Sequence, residues 1–216
     1  MHAAGPESGA ESAQAAVRVA EAEDYFQAFG VSRKFEQDRK ALEKRFYDLS
    51  RILHPDRFSS AAFGPEARRL SLERMSYLNQ AWSTLKSPQL LRDYLLGLEG
   101  FDTSKPQGNA QIPMELAESW FELQDAVMEE PDTALARVQD FELGLRKLSL
   151  SNAAAILELE KSHDSQGGRD LLKELGEKIR SESYLRSLER DVERLKNTLM
   201  KTALMKKNSN IPGAKN

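Results

Sequence analysis

Apolar residues recur at helical spacing along most of the chain, and no stretch alternates in the way a β-strand would. In the first half, one set falls at steps of four, three and four and therefore lies on one face of an amphipathic helix (Leu42, Phe46, Leu49 and Leu53). A second set follows at steps of three, four and three (Met75, Leu78, Trp82 and Leu85). Two such helices with a short connection favour an antiparallel hairpin.

Proline and glycine predict where these helices end. His54-Pro55 ends the first, because a residue before proline avoids the helical region, and Pro65 suits the first turn of the second. A short helix at residues 25–29 should stop at Gly30. Ser87-Pro88 closes the second long helix, and another short helix follows, ending at Gly97 or Gly100.

The second half also has only helical patterns. Residues 101–111 contain Pro106, Gly108 and Asn109 and are predicted to be a linker. We expect helices from Ile112 to Glu130, from Asp132 to about His163, and from Arg169 to about Met205. The last carries a coiled-coil-like seam of Leu185, Leu188, Val192, Leu195 and Leu199. The predicted fold class is all-α: an antiparallel helical hairpin with short flanking helices over 24–100, and a three-helix domain over 112–205.

The ends of the chain and its composition narrow the possible functions. Residues 1–23 are predicted to be a disordered extension and 206–216 a flexible tail. No apolar run approaches the roughly 20 residues of a membrane span, and the start resembles neither a secretory nor a mitochondrial signal. We therefore expect a cytoplasmic protein without membrane contact.

Charge and cysteine content exclude further classes. There are 31 basic and 34 acidic residues, a net charge of -3, which argues against nucleic-acid binding. The chain has no cysteine, so disulfides and thiolate metal sites are excluded, and its three histidines lie far apart. We predict no metal and no cofactor.

The tripeptide His54-Pro55-Asp56 lies between the two hairpin helices and is the best candidate for function. Proline stiffens the loop, while His54 can donate or accept hydrogen bonds and Asp56 can pair with an arginine. Such a loop can offer a rigid polar contact to another protein. Taken alone, the same tripeptide could equally be an ordinary turn between helices.

Its surroundings resemble a J domain. The matching features, in order, are the short helix before Gly30-Val31, an amphipathic second helix, His54-Pro55-Asp56-Arg57-Phe58, and a third helix with Asn79-Gln80-Ala81-Trp82. The junction Arg92-Asp93-Tyr94-Leu95-Leu96-Gly97-Leu98-Glu99-Gly100-Phe101 resembles that of the HscB family, the J-type co-chaperones of iron–sulfur cluster assembly. The resemblance is strong up to Phe101 and mostly architectural beyond.

This resemblance implies a non-enzymatic co-chaperone that stimulates an HscA/DnaK-type ATPase. Carried over to this sequence, its ATPase-binding residues are His54, Pro55 and Asp56, flanked by four cations (Lys44, Arg45, Arg51 and Arg57). Residues 36–57 hold six basic and five acidic residues, a net of +1, fewer positive charges than many J domains carry. We therefore expect charge steering to be modest and salt-sensitive.

The family's second domain binds an IscU-type scaffold protein through an apolar patch, which the resemblance places on the first and last helices of the bundle. The corresponding residues here are Leu116, Trp120, Phe121, Gln124, Tyr184 and Leu188. Trp120 and Phe121 are adjacent, about 100° apart on a helix, so both can hardly face one thin bundle. The interpretation favours Trp120 and Tyr184 as exposed anchors, and Phe121 and Leu116 as core residues.

Three alternatives remain open from the sequence. The protein could be a J-domain co-chaperone with another client, or a helical coiled-coil adaptor in which the tripeptide is only a turn. An enzyme using His54 and Asp56 as acid and base is disfavoured, because no nucleophile or cofactor motif accompanies them. The seam of the last helix leaves a monomer or a weak dimer open.

Overall fold

The computed structural model describes residues 17–58, 64–101, 113–130 and 133–209, with side chains up to Met205. Every regular element in these ranges is a helix, so the all-α prediction is confirmed. The chain divides into two compact units, Met1–Gly100 and Phe101–Asn216. Within the described ranges, no helix is long and apolar enough to cross a membrane. Most of the predicted linker, the first 16 residues of the predicted extension and the chain from 210 onward lie outside the described residues.

The first unit is built around a helical hairpin. Its elements are α1 (Tyr25–Phe29), α2 (Arg39–Leu53), a 3₁₀ turn (Pro55–Phe58), α3 (Gly64–Leu85) and α4 (Pro88–Leu98). The carboxylate of Asp38 accepts hydrogen bonds from the N–H groups of Lys40 and Ala41, and this side-chain cap fixes the start of α2. The helices lie close to their predicted bounds, because the proline and glycine signals act locally.

Part of the core of this unit lies between α2 and α3, and buried residues of α1 and α4 complete it. The predicted α2 face is buried at Leu42, Leu49 and Leu53, and Leu78 and Leu85 of α3 are buried with it. Phe46 is only partly buried and stacks on Trp82, with ring centroids 5.1 Å apart. Each fully buried leucine contributes about 1.5–3 kcal/mol relative to an exposed one, so this shared face holds the hairpin together.

The short α1 is fixed at both ends. The carboxylate of Asp24 accepts the N–H of Gln27 at 2.7 Å, and Gly30 ends the helix in the left-handed region (φ 62°), as its position predicts. Upstream, residues 17–21 are helical and Val19 is buried. This differs from the disordered segment expected up to residue 23, because the side chain of Val19 is buried in the core.

The second unit consists of α5 (Met114–Glu129), α6 (Ala134–Gln166) and α7 (Arg169–Ser209). Gly167 and Gly168, both with positive φ, form the turn between the two long helices, where the sequence predicts one. The side chain of Arg169 lies over the ring of Phe101, 5.7 Å from its centroid. This contact joins the first residue of the unit to the start of α7.

The seam of α7 is used inside this unit. Leu185, Leu188, Val192 and Leu199 are buried in one cluster with residues of α5 and α6, and Leu195 packs against it. Its other buried members are Leu123, Ala134, Val138 and Leu145. The coiled-coil-like spacing therefore describes packing within the second unit.

Candidate functional site

The His54-Pro55-Asp56 loop is shaped by the end of α2. His54 has extended backbone angles (φ -60°, ψ 130°), as a residue before proline requires. The chain then turns through the 3₁₀ segment, and the N–H of Arg57 donates to the carbonyl of His54 at 3.0 Å. This bond closes a tight turn directly after the helix, so the tripeptide stands at the end of the hairpin.

Within this loop, His54 and Asp56 are held side by side. The N–H of Asp56 donates to Nδ1 of His54 at 3.3 Å, and Oδ2 of Asp56 lies 3.5 Å from the same nitrogen. Their side chains are 53% and 87% exposed. Because both side chains are exposed, the loop can present them to another molecule.

The exposed face of α2 leads to this loop. Lys40, Tyr47 and His54 are spaced by seven residues, and so are Lys44 and Arg51. Residues seven apart differ by about 20° around a helix, and the two series are about 40° apart, so all five share one face. We call the exposed residues Lys40, Lys44, Tyr47 and Arg51 the α2 stripe.

The α2 stripe carries three cations, an aromatic ring and no acid, although the exposed Glu43 and Asp48 border it on either side. Among the described residues, no carboxylate forms an ion pair with Lys44 or Arg51. Tyr47, which is 59% exposed, was not among the residues predicted from the sequence. Its adjacency to the inward-facing Phe46 was the available signal, since neighbours on a helix point about 100° apart.

The other two predicted cations have partners within the unit. The guanidinium of Arg45 donates to the carbonyl of Phe29 at 2.6 Å and also to that of Gly30, where it ties the end of α1 to α2. Arg57 donates to the carbonyl of Arg51 at 3.4 Å, at the end of α2. Of the four, Lys44 and Arg51 are therefore the ones brought together on the outward face.

In the second unit, the structure reverses the expected roles of two aromatic residues. Trp120 is partly buried, packs against the core cluster and lies 5.6 Å from Phe141 between ring centroids. Phe121 is 64% exposed. One of the pair is indeed outward, as their spacing requires, but it is Phe121, because the ring of Trp120 packs against the core cluster.

The rest of the predicted patch is mixed. Leu188 is buried, while Leu116 and Tyr184 are partly buried and pack against the same cluster. Gln124 lines a groove between α5 and α7 together with Trp120, Arg194 and Leu195. These residues support the bundle more than they form an outward apolar surface, because the thin bundle needs them to close its core.

A more regular apolar surface runs along α5. Met114, Phe121 and Met128 are spaced by seven residues and are 77%, 64% and 82% exposed. We call these three residues the α5 stripe. Neither methionine was among the residues predicted from the sequence, although each lies seven residues from Phe121. Large exposed apolar side chains in a row are typical of an interaction surface.

No cluster of three or more histidine, aspartate or glutamate side chains that could hold a metal ion occurs among the residues described. The described part of unit 1 has instead a helical hairpin with a His-Pro-Asp turn at its end, the arrangement of a J domain. No family model matches the chain.

Two solved structures are similar to most of the chain. The structure of the co-chaperone HscB from human is 23% identical, covers 80% of this chain and 82% of its own, and superposes with a TM-score of 0.50. The chaperone HscB from Vibrio cholerae is 25% identical and covers 82% of this chain and 99% of its own, with a TM-score of 0.47. The chain therefore has the fold of HscB, a J domain followed by a C-terminal helical bundle.

Proposed function

We propose that this protein is a J-domain co-chaperone of iron–sulfur cluster assembly. In this role it stimulates the ATPase of an HscA/DnaK-type chaperone and delivers an IscU-type scaffold protein to it. The observation that carries the proposal is the exposed His54-Pro55-Asp56 loop on the same face as the α2 stripe. The HscB fold and the resemblance of the 92–101 junction support the choice of client.

The loop offers two different hydrogen-bonding groups to the ATPase. Nδ1 of His54 accepts the N–H of Asp56, which leaves Nε2 of the exposed ring for a hydrogen bond to the ATPase. The exposed carboxylate of Asp56 can accept a bidentate hydrogen bond from an arginine. Pro55 limits the motion between them, which reduces the entropy lost on docking.

The α2 stripe extends this contact along the helix. Its cations suit an acidic surface on the ATPase, and Tyr47 adds apolar area between them. Exposed charges are screened within about 10 Å at ordinary salt, so binding should weaken as salt rises. The acids beside the stripe limit the long-range attraction, so short-range contact has the larger share.

The α5 stripe is the proposed contact for the scaffold protein. Phe121 at its centre has a rigid ring, and a flexible methionine lies about two helical turns away on either side. Methionine side chains adapt to irregular surfaces, while an aromatic ring makes a well-defined anchor. We propose Phe121 as the main anchor ahead of Trp120, whose indole packs against Phe141.

The co-chaperone activity would follow from having both contacts in one chain. One unit binds the scaffold and the other meets the ATPase, so the client is held at a high local concentration beside the chaperone. No bond in a substrate is broken by this protein itself. The role needs neither a metal nor a cofactor on this chain.

The test is the steady-state ATPase rate of an HscA-type chaperone with this protein, measured with and without the scaffold. Wild type is compared with His54→Gln and with Arg39→Gln, an exposed position on α2 outside the stripe. We expect stimulation to be greatest with both proteins present, lost in His54→Gln and kept in Arg39→Gln. Stimulation without any effect of the scaffold would leave a J-domain protein with another client. If a folded wild type gave no stimulation, the co-chaperone proposal would be wrong.

A further inference from the structure

The carbonyl of Leu53, just before the His-Pro-Asp loop, has an unusual partner. In a continuing α-helix it would accept the N–H of Arg57, but that N–H donates to His54 instead. Pro55 has no N–H, and the N–H of Asp56 donates to the His54 ring. The turn thus directs the N–H groups of Asp56 and Arg57 to His54, and neither donates to the last carbonyl of α2.

Ser71 of α3 supplies the missing donor. Its hydroxyl donates to the carbonyl of Leu53 at 2.5 Å, across the hairpin. Ser71 is 3% exposed and Leu53 is buried, so water does not replace this bond. A serine within a helix often bonds to its own preceding turn. Here the hydroxyl instead connects α3 to the end of α2.

This bond acts on the loop through one peptide plane. The carbonyl of Leu53 and the N–H of His54 belong to the same rigid unit, so fixing the oxygen fixes the direction from which His54 leaves the helix. The ring of His54 then meets the N–H of Asp56. We propose that Ser71 is a positioning residue that sets how His54 and Asp56 are presented to the ATPase. The presentation to the ATPase rests on the function proposed above, whereas the effect on the loop does not.

Nuclear magnetic resonance of the full chain tests the effect on the loop. Ser71→Ala removes the donor, and Ser71→Cys keeps a weak one of similar size. The matched control is Ser181→Ala, since Ser181 is also buried and donates to a backbone carbonyl, that of Glu177 at 3.1 Å. We expect the amide and imidazole signals of His54, Asp56 and Arg57 to move in Ser71→Ala, to move less in Ser71→Cys and to stay in Ser181→Ala. Exchange of the Arg57 amide should be about 5- to 30-fold faster without the hydroxyl.

The ATPase assay separates positioning from simple loss of stability. Because the α2 stripe is intact, Ser71→Ala should lower the maximal stimulation about fivefold while the concentration for half-maximal stimulation stays unchanged. Loop signals that are identical in Ser71→Ala and wild type would overturn the proposal. If Ser71→Ala does not fold, the loop signals of Ser71→Cys provide the test instead. In the wild type, the hydrogen-bonded hydroxyl proton of Ser71 should also exchange slowly with solvent. The two proposals can also fail separately. If the loop signals move in Ser71→Ala but the wild type does not stimulate the ATPase, the positioning role of Ser71 is upheld and the co-chaperone function is refuted.

Discussion

The guanidinium of Arg33 donates two hydrogen bonds to one oxygen of the buried Asp24 carboxylate, at 2.8 and 2.5 Å. The other carboxylate oxygen caps α1 through the N–H of Gln27. The hydrogen bond to this carboxylate raises the pKa of Arg33, so the guanidinium keeps its charge. One buried carboxylate therefore joins the start of α1 to the loop that follows it.

Replacing Arg33 by alanine should lower the free energy of unfolding more than replacing the adjacent Lys34. Arg33→Ala leaves the buried carboxylate of Asp24 without its cation, and we expect the free energy of unfolding to fall by about 2 kcal/mol, since the half-exposed arginine admits water. Urea denaturation followed by circular dichroism measures this change. Lys34→Ala, at an exposed position beside it, is the control and should change stability by less than about 0.5 kcal/mol. Equal losses in the two variants would contradict the assigned role of the ion pair.

The cations of α2 should separate into two groups. Lys44→Ala and Arg51→Ala each should raise the concentration for half-maximal ATPase stimulation about two- to fivefold at low salt, and less at high salt. Stability should hardly change, because both side chains are exposed. Arg39→Ala, which removes a cation of α2 outside the stripe, is the control. If neither Lys44→Ala nor Arg51→Ala changed the concentration for half-maximal stimulation, the α2 stripe would be excluded as a contact.

Arg45→Ala should behave differently from these two. It removes the donor to the carbonyls of Phe29 and Gly30 and should lower the free energy of unfolding by about 1–2 kcal/mol. Thermal unfolding of the full chain measures the loss. A variant as stable as Lys44→Ala would show that Arg45 does not anchor α1.

The two neighbouring aromatic residues of α5 should also give opposite results. Phe121→Ala should weaken scaffold binding at least about tenfold in calorimetry, with stability within about 0.5 kcal/mol of wild type. Trp120→Ala should lower stability by about 2–3 kcal/mol through the lost packing on Phe141. Leu150→Ala, an exposed apolar position on α6, controls for surface apolarity and should leave affinity unchanged. Unaltered affinity in Phe121→Ala would remove the α5 stripe as the scaffold surface.

A pH dependence follows from the ion pair between α6 and α7. Nζ of Lys196 lies 2.7 Å from Oε2 of Glu142, and this hydrogen bond lowers the pKa of Glu142 below its ordinary 4.5. A lowered carboxylate pKa means that the stabilisation is complete above about pH 4.5 and is lost as the pH falls through the folded value. Glu142→Gln should therefore flatten the fall in stability below pH 4.5, as measured by urea denaturation at several pH values. Between pH 6 and 8, the free energies of unfolding of wild type and Glu142→Gln should vary in parallel with pH. If they also varied in parallel below pH 4.5, the ion pair would not be the cause of the acid dependence.

The elements were predictable because their signals are local. The steps of Leu42 to Leu53, the glycine at position 30 and the proline at 55 each act within a few residues, and the helices follow them. The exchange of roles between Trp120 and Phe121 was not predictable, because periodicity shows that two neighbours diverge but not which of them faces the core. Ser71 was hidden for a related reason. Its role depends on a carbonyl 18 residues away, which only the paired hairpin brings near.

The short α5 lies beside two much longer helices. It has 16 residues against 33 and 41 in α6 and α7, and only Leu123 and Ala126 are buried along it. With so little buried area, α5 should open by local unfolding more often than the hairpin of α6 and α7, and its amides should exchange sooner. A partner that covers the α5 stripe would then protect these amides, so part of its binding energy would go into ordering the helix that it binds.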